Sequence, residues 1–377
     1  MKRKLNTIQI IPRAGCHSGG TLQAYQLAKG LYERGHDSLL IIRPGKQSIK
    51  KAEEFGIPYE AIPMKNEFDL KSVFKLRAII KKFKPDVIHA HKGLALSLSL
   101  AALVGNRKTV LVANRGVMFP LDIFNSIKYR LSRLDGVVAV SNVVREIMIK
   151  SSGIQADKVR VIYGGTDLER FDYRISPTKI RNEFNVRDSY PLVGIIANIR
   201  RWKGHIYFVE AAKKVVEKFP KALFFIVGRY NEERETFKQL NRRIDELGIG
   251  DKLIFTGFRE DVPEIISAMD ITVNASYDGE GLTGTIRESF AMKTPVVATK
   301  IAGNPELVID GKTGILVPPK DSSALAEGII KIADNCELLR EMGENAYQLI
   351  LEKFSLESRI KAIEEFYYEL LEKRQAI

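Results

Sequence analysis

A chain of 377 residues, 45% apolar and 28% charged, has the length of two domains and the composition of a folded globular protein. Disordered, collagen-like and coiled-coil classes are excluded on that composition. The net charge of +13 sits in one half, with 30 Lys and Arg against 15 Asp and Glu up to Ile175 and 29 against 31 beyond it. A basic half of that size fits nucleic acid, an anionic membrane surface or an anionic small substrate. No apolar run reaches the roughly 18–20 residues of a membrane-spanning helix. The longest, residues 93–105, reads as a buried helix. Cys16 and Cys336 cannot build a disulfide framework, which points to a reducing cytoplasm. The basic N-terminus runs into a strand-like segment, not a signal-peptide core.

In chain order, residues 7–11, 38–42, 86–89, 109–113, 136–140 and 159–162 read as short strands bounded by Gly, Pro, Asp or Asn. Helix-length segments lie between most of them. Residues 20–34 carry Ala24, Leu27, Ala28 and Leu31 at helical spacing, with Gly35 as a stop. The polar stretch 174–190, with Pro177 and Asp188, reads as a linker, and the charge balance changes there. The pattern then restarts with strands at 192–197, 223–227, 253–255, 271–274, 295–298 and 315–317 and a helix at 204–219. Residues 355–377 predict a long closing helix with Ile360, Ile363, Phe366, Tyr367, Leu370 and Leu371 on one face. Continuously apolar strands alternating with helices predict an α/β fold of two tandem doubly wound, Rossmann-like parallel sheets facing a cleft. Ligands are expected at the carboxyl ends of the strands.

Three segments can carry chemistry there. Arg13-Ala-Gly-Cys-His-Ser-Gly-Gly-Thr21 follows the first strand, and its glycines before a helix start suit a phosphate. It lacks the usual dinucleotide and P-loop spacings, and a plain glycine-rich connection reads equally well. Asn198-Ile-Arg-Arg-Trp-Lys-Gly204 places Arg200, Arg201 and Lys203 at a strand end, where they can neutralise a diphosphate or form a solvated charge run. In the segment from Tyr277 to Met292, Glu280 falls in a glycine-rich loop and Glu288 in the first turns of a helix. The loop and helix start can hold phosphate while the carboxylates accept hydrogen bonds from hydroxyls, which describes a nucleotide sugar. The plainer readings are a loop carboxylate and a residue that complements a helix dipole. His89 reads as packed and His91 as able to face the cleft. Cys16 with His17 is too sparse for a metal or nucleophile. No D-x-D, C-x-x-C or H-x-x-x-H occurs, so the sequence predicts no metal site.

The ordered series resembles a known family, the retaining glycosyltransferases of the GT-B fold in family 4 (glycosyl transferases group 1). Gly19-Gly20 with Ala28, Leu31 and Gly35-His36 is similar to its first loop and helix. Pro85-Asp-Val-Ile-His-Ala-His91, Asp135-Gly-Val-Val-Ala-Val-Ser141 and Val161-Ile-Tyr-Gly-Gly-Thr-Asp-Leu-Glu-Arg-Phe171 follow in order. Lys203-Gly204, the pair Glu280 and Glu288, then Thr294-Pro-Val-Val-Ala298 with Glu306, Gly311 and Gly314 complete it. Two departures stand out. Asn198 occupies a position where the family usually has Arg, leaving Arg200 or Arg201 to supply the second cation, and Arg115 stands where the family often has His. A fixed cation there suggests an acidic acceptor or different donor-sugar contacts.

The resemblance implies residues 1–174 plus 356–377 as an acceptor-side domain and 175–355 as the nucleotide-sugar domain, the last helix crossing back. Lys203, Arg200 and Arg201 would hold the diphosphate, Glu280 the donor sugar and Glu288 the ribose. Gly281, Leu282, Thr283, Gly284 and Thr285 would cradle phosphate and sugar, with Gly19 and Gly20 closing on the phosphates. His91 and Arg115 fall on the acceptor side. The implied activity is metal-independent, retaining hexosyl transfer from a nucleotide sugar, UDP-sugar favoured, to a glycan or lipid-linked acceptor in cell-envelope polysaccharide or lipopolysaccharide synthesis. No other cofactor and no nucleic acid is expected. The expected location is the cytoplasm, with peripheral contact at the inner face of an anionic membrane through Lys71, Lys75, Lys82, Lys128, Arg130 and Arg133. The alternative reading is a non-catalytic basic protein that binds anionic membrane or nucleic acid.

Overall fold

The structure, a computed structural model, describes residues 3–15 and 19–375. Cys16 and His17 therefore lie outside the described residues. The chain divides into two units, Met1–Gly165 with Leu356–Ile377, and Thr166–Ser355.

The first unit runs β1 (Asn6–Ile11), α1 (Gly19–Glu33), β2 (Asp37–Ile42), α2 (Lys46–Glu54), β3 (Tyr59–Ala61), α3 (Leu70–Phe83) and β4 (Val87–His91). It continues α4 (Gly93–Ala102), β5 (Val110–Arg115), α5 (Ile123–Arg130), β6 (Gly136–Ala139), α6 (Asn142–Ser152) and β7 (Val159–Val161). Its sheet is parallel, in the order β3-β2-β1-β4-β5-β6-β7. Both faces are covered, so β1, β2 and β4 are buried almost continuously, without alternation, even where they carry Thr7, Gln9, Ser38, His89 and His91. β3 escaped the sequence reading because it has three residues and two of them are exposed.

The second unit runs α7 (Thr178–Glu183), β8 (Leu192–Ile196), α8 (His205–Lys218), β9 (Leu223–Val227), α9 (Glu235–Leu247), β10 (Leu253–Gly257) and α10 (Val262–Ala268). Then follow β11 (Ile271–Asn274), α11 (Gly284–Ala291), β12 (Val296–Thr299), α12 (Asn304–Leu307), β13 (Gly314–Val317), α13 (Ser322–Ala333) and α14 (Cys336–Leu349). This sheet, also parallel, has the order β10-β9-β8-β11-β12-β13.

The passage into the second unit falls at Gly165–Thr166, against 174–175 in the sequence reading. The stretch read as a linker contains α7. Its Ile180 is fully buried with Val186, Leu192 and Phe225, and Arg181 bonds Asp270 at 3.2 Å. Two apolar anchors among many polar residues were too few to show as a helix. The closing helix α15 (Leu356–Gln375) belongs to the first unit. Its Ile360, Ile363, Phe366, Tyr367 and Leu370 recur every three or four residues and pack on Leu27, Val112 and Val138. A Cβ on Gly136 would stand 2.7 Å from the Phe366 ring, so the helix lies directly on β6. Among the described residues, no helix is long and apolar enough to cross a membrane.

Candidate active site

In an open parallel sheet a ligand crevice forms at the carboxyl ends where the strand order turns. In the second unit that point lies between β8 and β11, and the loops leaving these two strands carry Lys203 and Glu280. Lys203 ends a one-turn 3₁₀ helix, Arg201–Lys203. The turn is tied to the other loop by the Tyr277 N–H, which donates to the Trp202 carbonyl at 2.9 Å. The Lys203 ammonium is ion-paired with Glu280 Oε1, and Ser276 Oγ donates to the same oxygen at 2.8 Å. Both partners are largely withdrawn from water.

The loop ends at α11. Thr283 Oγ1 donates to Asn304 Oδ1 at 2.7 Å, and Asn304 Nδ2 donates to the Thr299 carbonyl at 2.9 Å. The Thr283 hydroxyl is thereby diverted, and no side chain caps α11. Its first N–H groups and the positive end of its dipole are left to an anion. Gly281 is buried, and Leu282, Gly284 and Thr285 are half-buried along this rim. A Cβ on Gly284 would come within 3.8 Å of Glu288 Oε1.

Glu288 lies in the second turn of α11, half-buried. Burial pushes its carboxyl up, against the pull of Arg287 and Arg170. Among the described residues its carboxylate has no side-chain hydrogen bond. Its neighbour Arg287 is fully buried, reaches Thr166 Oγ1 at 3.4 Å, and is pushed down to about 10 by burial. Arg200 and Arg201 are exposed, and among the described residues neither is paired with a carboxylate. They line a hollow of about 500 Å³ with Trp202, Tyr207, Tyr277 and Lys320.

In the first unit the order turns between β1 and β4. Gly19 and Gly20 open α1 beyond β1, and a Cβ on either would meet nothing within 4 Å. His91 ends β4. It is buried, its Nε2 is 2.9 Å from Gln9 Oε1, and burial with nearby Arg359 and Lys92 pushes it down to about 3. Its ring stacks on His89, whose Nδ1 meets Tyr367 Oη at 2.7 Å. His91 is thus a neutral, largely buried ring at the end of β4. Arg115 ends β5, half-buried, with its guanidinium on the Phe119 carbonyl.

Some residues escaped the sequence reading. Lys92 is held at φ 100° between β4 and α4, and burial beside Arg13 pushes it down to about 8. A non-glycine residue in that conformation is uncommon and concentrates at functional sites. The signal for it was the basic residue directly after a strand. Asn198, where the family usually has Arg, accepts from the Arg229 N–H at 2.8 Å, and the Arg229 guanidinium lies 4.3 Å from the Phe258 ring centre. Ser276 and Asn304 carried no signal, because their importance lies in partners distant in sequence.

Two parallel α/β units, with Lys203 ion-paired to Glu280 at the switch point of the second, are what the resemblance to the GT-B glycosyltransferases implies. Family models agree. Residues 17–170 match Glycosyltransferase Family 4, and residues 176–349 match Glycosyl transferases group 1. The chain belongs to this family. It is 25% identical to an N-acetyl-alpha-D-glucosaminyl L-malate synthase of Bacillus anthracis over 98% of both chains. It is 26% identical to a UDP-Gal:alpha-D-GlcNAc-diphosphoundecaprenol alpha-1,3-galactosyltransferase of Escherichia coli over 80% of each. A glycosyltransferase structure from Rickettsia africae superposes with a TM-score of 0.89 at 26% identity, covering 98% of this chain and 99% of that one.

Proposed function

We propose that this glycosyltransferase moves a hexose-type sugar from a nucleotide sugar, a UDP-sugar in preference, to a glycan or lipid-linked acceptor, with retention and without a metal. The observation that carries the reading is the Lys203–Glu280 pair beside a helix start that no side chain caps, with the Glu288 carboxylate in the second turn of that helix. Charge that builds on the diphosphate as the sugar–phosphate bond breaks would be received by Lys203, by Arg200 or Arg201, and by the first N–H groups of α11. Glu280 would then turn to the donor sugar's hydroxyls and Glu288 to the ribose. Retention follows if the acceptor attacks from the face the diphosphate leaves and a phosphate oxygen takes the acceptor's proton. On the acceptor side, Arg13, Lys92 and Arg115 favour an acidic or phosphate-bearing substrate. The Escherichia coli relative, by its name, uses a UDP-sugar and a diphosphoundecaprenol-linked acceptor. Synthesis of cell-envelope polysaccharide or lipopolysaccharide is the corresponding process. The enzyme would work in the cytoplasm, peripheral to the inner face of the membrane. A thermal-shift screen against UDP-, GDP-, ADP- and dTDP-sugars tests the donor, and stabilisation by none of them would overturn it.

Glu288→Gln is expected to weaken UDP binding by about 10–100-fold, since a hydrogen bond to a charged group contributes about 1.5–3 kcal/mol. The ionised carboxylate is the better acceptor for ribose hydroxyls, and burial raises its pKa above the ordinary 4.5. Affinity in the parent should therefore fall as the pH is lowered, from a pH above that at which an exposed carboxylate would titrate. Calorimetric titration of UDP against pH reads both effects. A Gln variant with parental affinity and an unchanged pH profile would remove Glu288 from the site.

Activity is expected to survive excess EDTA. Lys203, Arg200 and Arg201 would take the place of a carboxylate-held Mg²⁺ against the diphosphate, and the sequence has no D-x-D to hold one. Loss of turnover in EDTA, restored by Mg²⁺ or Mn²⁺, would contradict this.

A further inference from the structure

The carboxyl edge of the first unit's sheet carries large apolar side chains in water. Phe68 is 90% exposed, Phe74 69%, Ile123 80% and Phe124 86%, with Leu70, Phe119 and Ile127 also exposed. They come from two places that the fold joins. Leu70 and Phe74 stand one turn apart on the outward side of α3, while Ser72, Leu76 and Ile80 face the core. Ile123, Phe124 and Ile127 form the outward side of α5, while Ser126 and Tyr129 face inward. Lys128 connects the two. It is buried, and its ammonium bonds Glu67 at 2.9 Å, Ser97 Oγ at 3.3 Å and the Gly93 carbonyl at 3.4 Å. The segment entering α3 is thus fixed beside α5, across the start of α4.

This arrangement corrects the expected basic face. Lys128 is consumed internally, Arg130 bonds the Ser152 carbonyl, and Arg133 bonds Asp135 and the Thr109 carbonyl. What α5 offers outward is hydrocarbon. On α3, Lys71 and Lys75 flank Phe74, are exposed and, among the described residues, form no ion pair with a carboxylate; Lys65, also exposed, gives its backbone N–H to Asp69 at 3.0 Å. The first unit as a whole holds 32 Lys and Arg against 17 Asp and Glu, and the second 27 against 29.

We propose that this face inserts into an anionic lipid bilayer, with Phe68, Phe74, Ile123 and Phe124 among the acyl chains and Lys65, Lys71 and Lys75 at the headgroups. Contiguous exposed apolar surface marks an interaction site. A rim of exposed lysines selects an anionic partner over a second copy of this basic unit, which it would repel. Aromatic side chains inserted beneath lysines anchor a protein on one leaflet without spanning it. The face adjoins the acceptor side through Arg115, whose guanidinium holds the Phe119 carbonyl. A lipid-linked acceptor would then arrive from the surface on which the protein rests. This last step depends on the acceptor reading above, and insertion does not.

Flotation with vesicles of phosphatidylcholine and phosphatidylglycerol tests it, on the full chain, with UDP thermal shift as the control for fold and donor site. Partitioning of the Phe68→Ser, Phe74→Ser, Phe124→Ser triple variant should drop by more than about tenfold. The single variant Phe124→Ser should show a smaller loss of the same sign, and the UDP shift should stay parental in both. Residual binding of the parent should persist between about 0.01 M and 0.15 M salt, where purely electrostatic attachment weakens steeply. The proposal is overturned if the parent binds no vesicle, or if the triple variant floats like the parent. It is also overturned if only Lys71→Glu with Lys75→Glu abolishes binding, or if the parent is a dimer that the serine variant dissolves. Vesicle binding as expected, without transfer to a lipid-linked acceptor, would leave insertion standing and overturn the acceptor reading alone.

Discussion

Lys203→Ala is expected to lower turnover by about 10²–10³-fold while the second unit stays folded, the range found when one preorganised donor to a developing negative charge is removed. The ammonium is held at the strand switch point, largely out of water, by Glu280. There its attraction for a leaving diphosphate is screened far less than at an open surface. The charge it would meet grows as the bond breaks, so the loss should fall mainly on kcat, with KM for the donor changing by much less. Lys203 lies on a short turn outside the regular elements, so its truncation removes no core contact. It does leave Glu280 with Ser276 as its remaining side-chain partner, a buried carboxylate without its cation. The double variant Lys203→Ala, Glu280→Gln should therefore recover any lost melting temperature but none of the lost turnover. Steady-state kinetics beside thermal denaturation separate the two. Turnover within about threefold of the parent, about 0.6 kcal/mol, would exclude this role for Lys203.

Much of the fold could be read from the chain because buried parallel strands are written as continuous apolar runs. β9 and β11 begin and end where the apolar pattern does. The site was legible in part for a different reason. Lys203, Glu280 and Glu288 belong to loops and turns that follow strands, so their placement at a sheet edge comes with the element order. What could not be read is which groups are used up internally. His91 looks like a strand-end histidine open to a ligand until Gln9, from the neighbouring strand, takes its Nε2. Lys128 and Arg133 add to a basic run in sequence, yet their partners Glu67 and Asp135 are chosen by packing. The outward side of α3 shows the same limit. Spacing puts Lys71, Lys75 and Lys82 on one side, but that Leu70 and Phe74 also point outward follows only from Ser72, Leu76 and Ile80 being the residues that face the core.

Gly204→Ala is expected to cost the second unit about 2–5 kcal/mol and to carry most of the activity away with it. Gly204 follows Lys203 directly, sits at φ 71°, and is the residue from which α8 starts. That conformation alone costs an L residue about 1–2 kcal/mol. Space adds a second and larger obstacle. A Cβ there would lie 2.0 Å from the Ala275 carbonyl oxygen and 2.8 Å from its carbon, atoms of the backbone leaving β11 that cannot rotate aside. The turn bearing Lys203 and the loop bearing Glu280 would have to separate, at an overpacking cost of about 1–3 kcal/mol. For a unit of this size that total lowers the melting temperature by about 4–20 °C. Gly248 supplies the internal comparison, with φ 61° and nothing within 4 Å of its added Cβ. Gly248→Ala should show the strain cost alone and leave turnover at the parental level. If the two variants melt together, or if Gly204→Ala keeps parental turnover, the contact between the Lys203 turn and the Ala275 backbone does not set the geometry of the site.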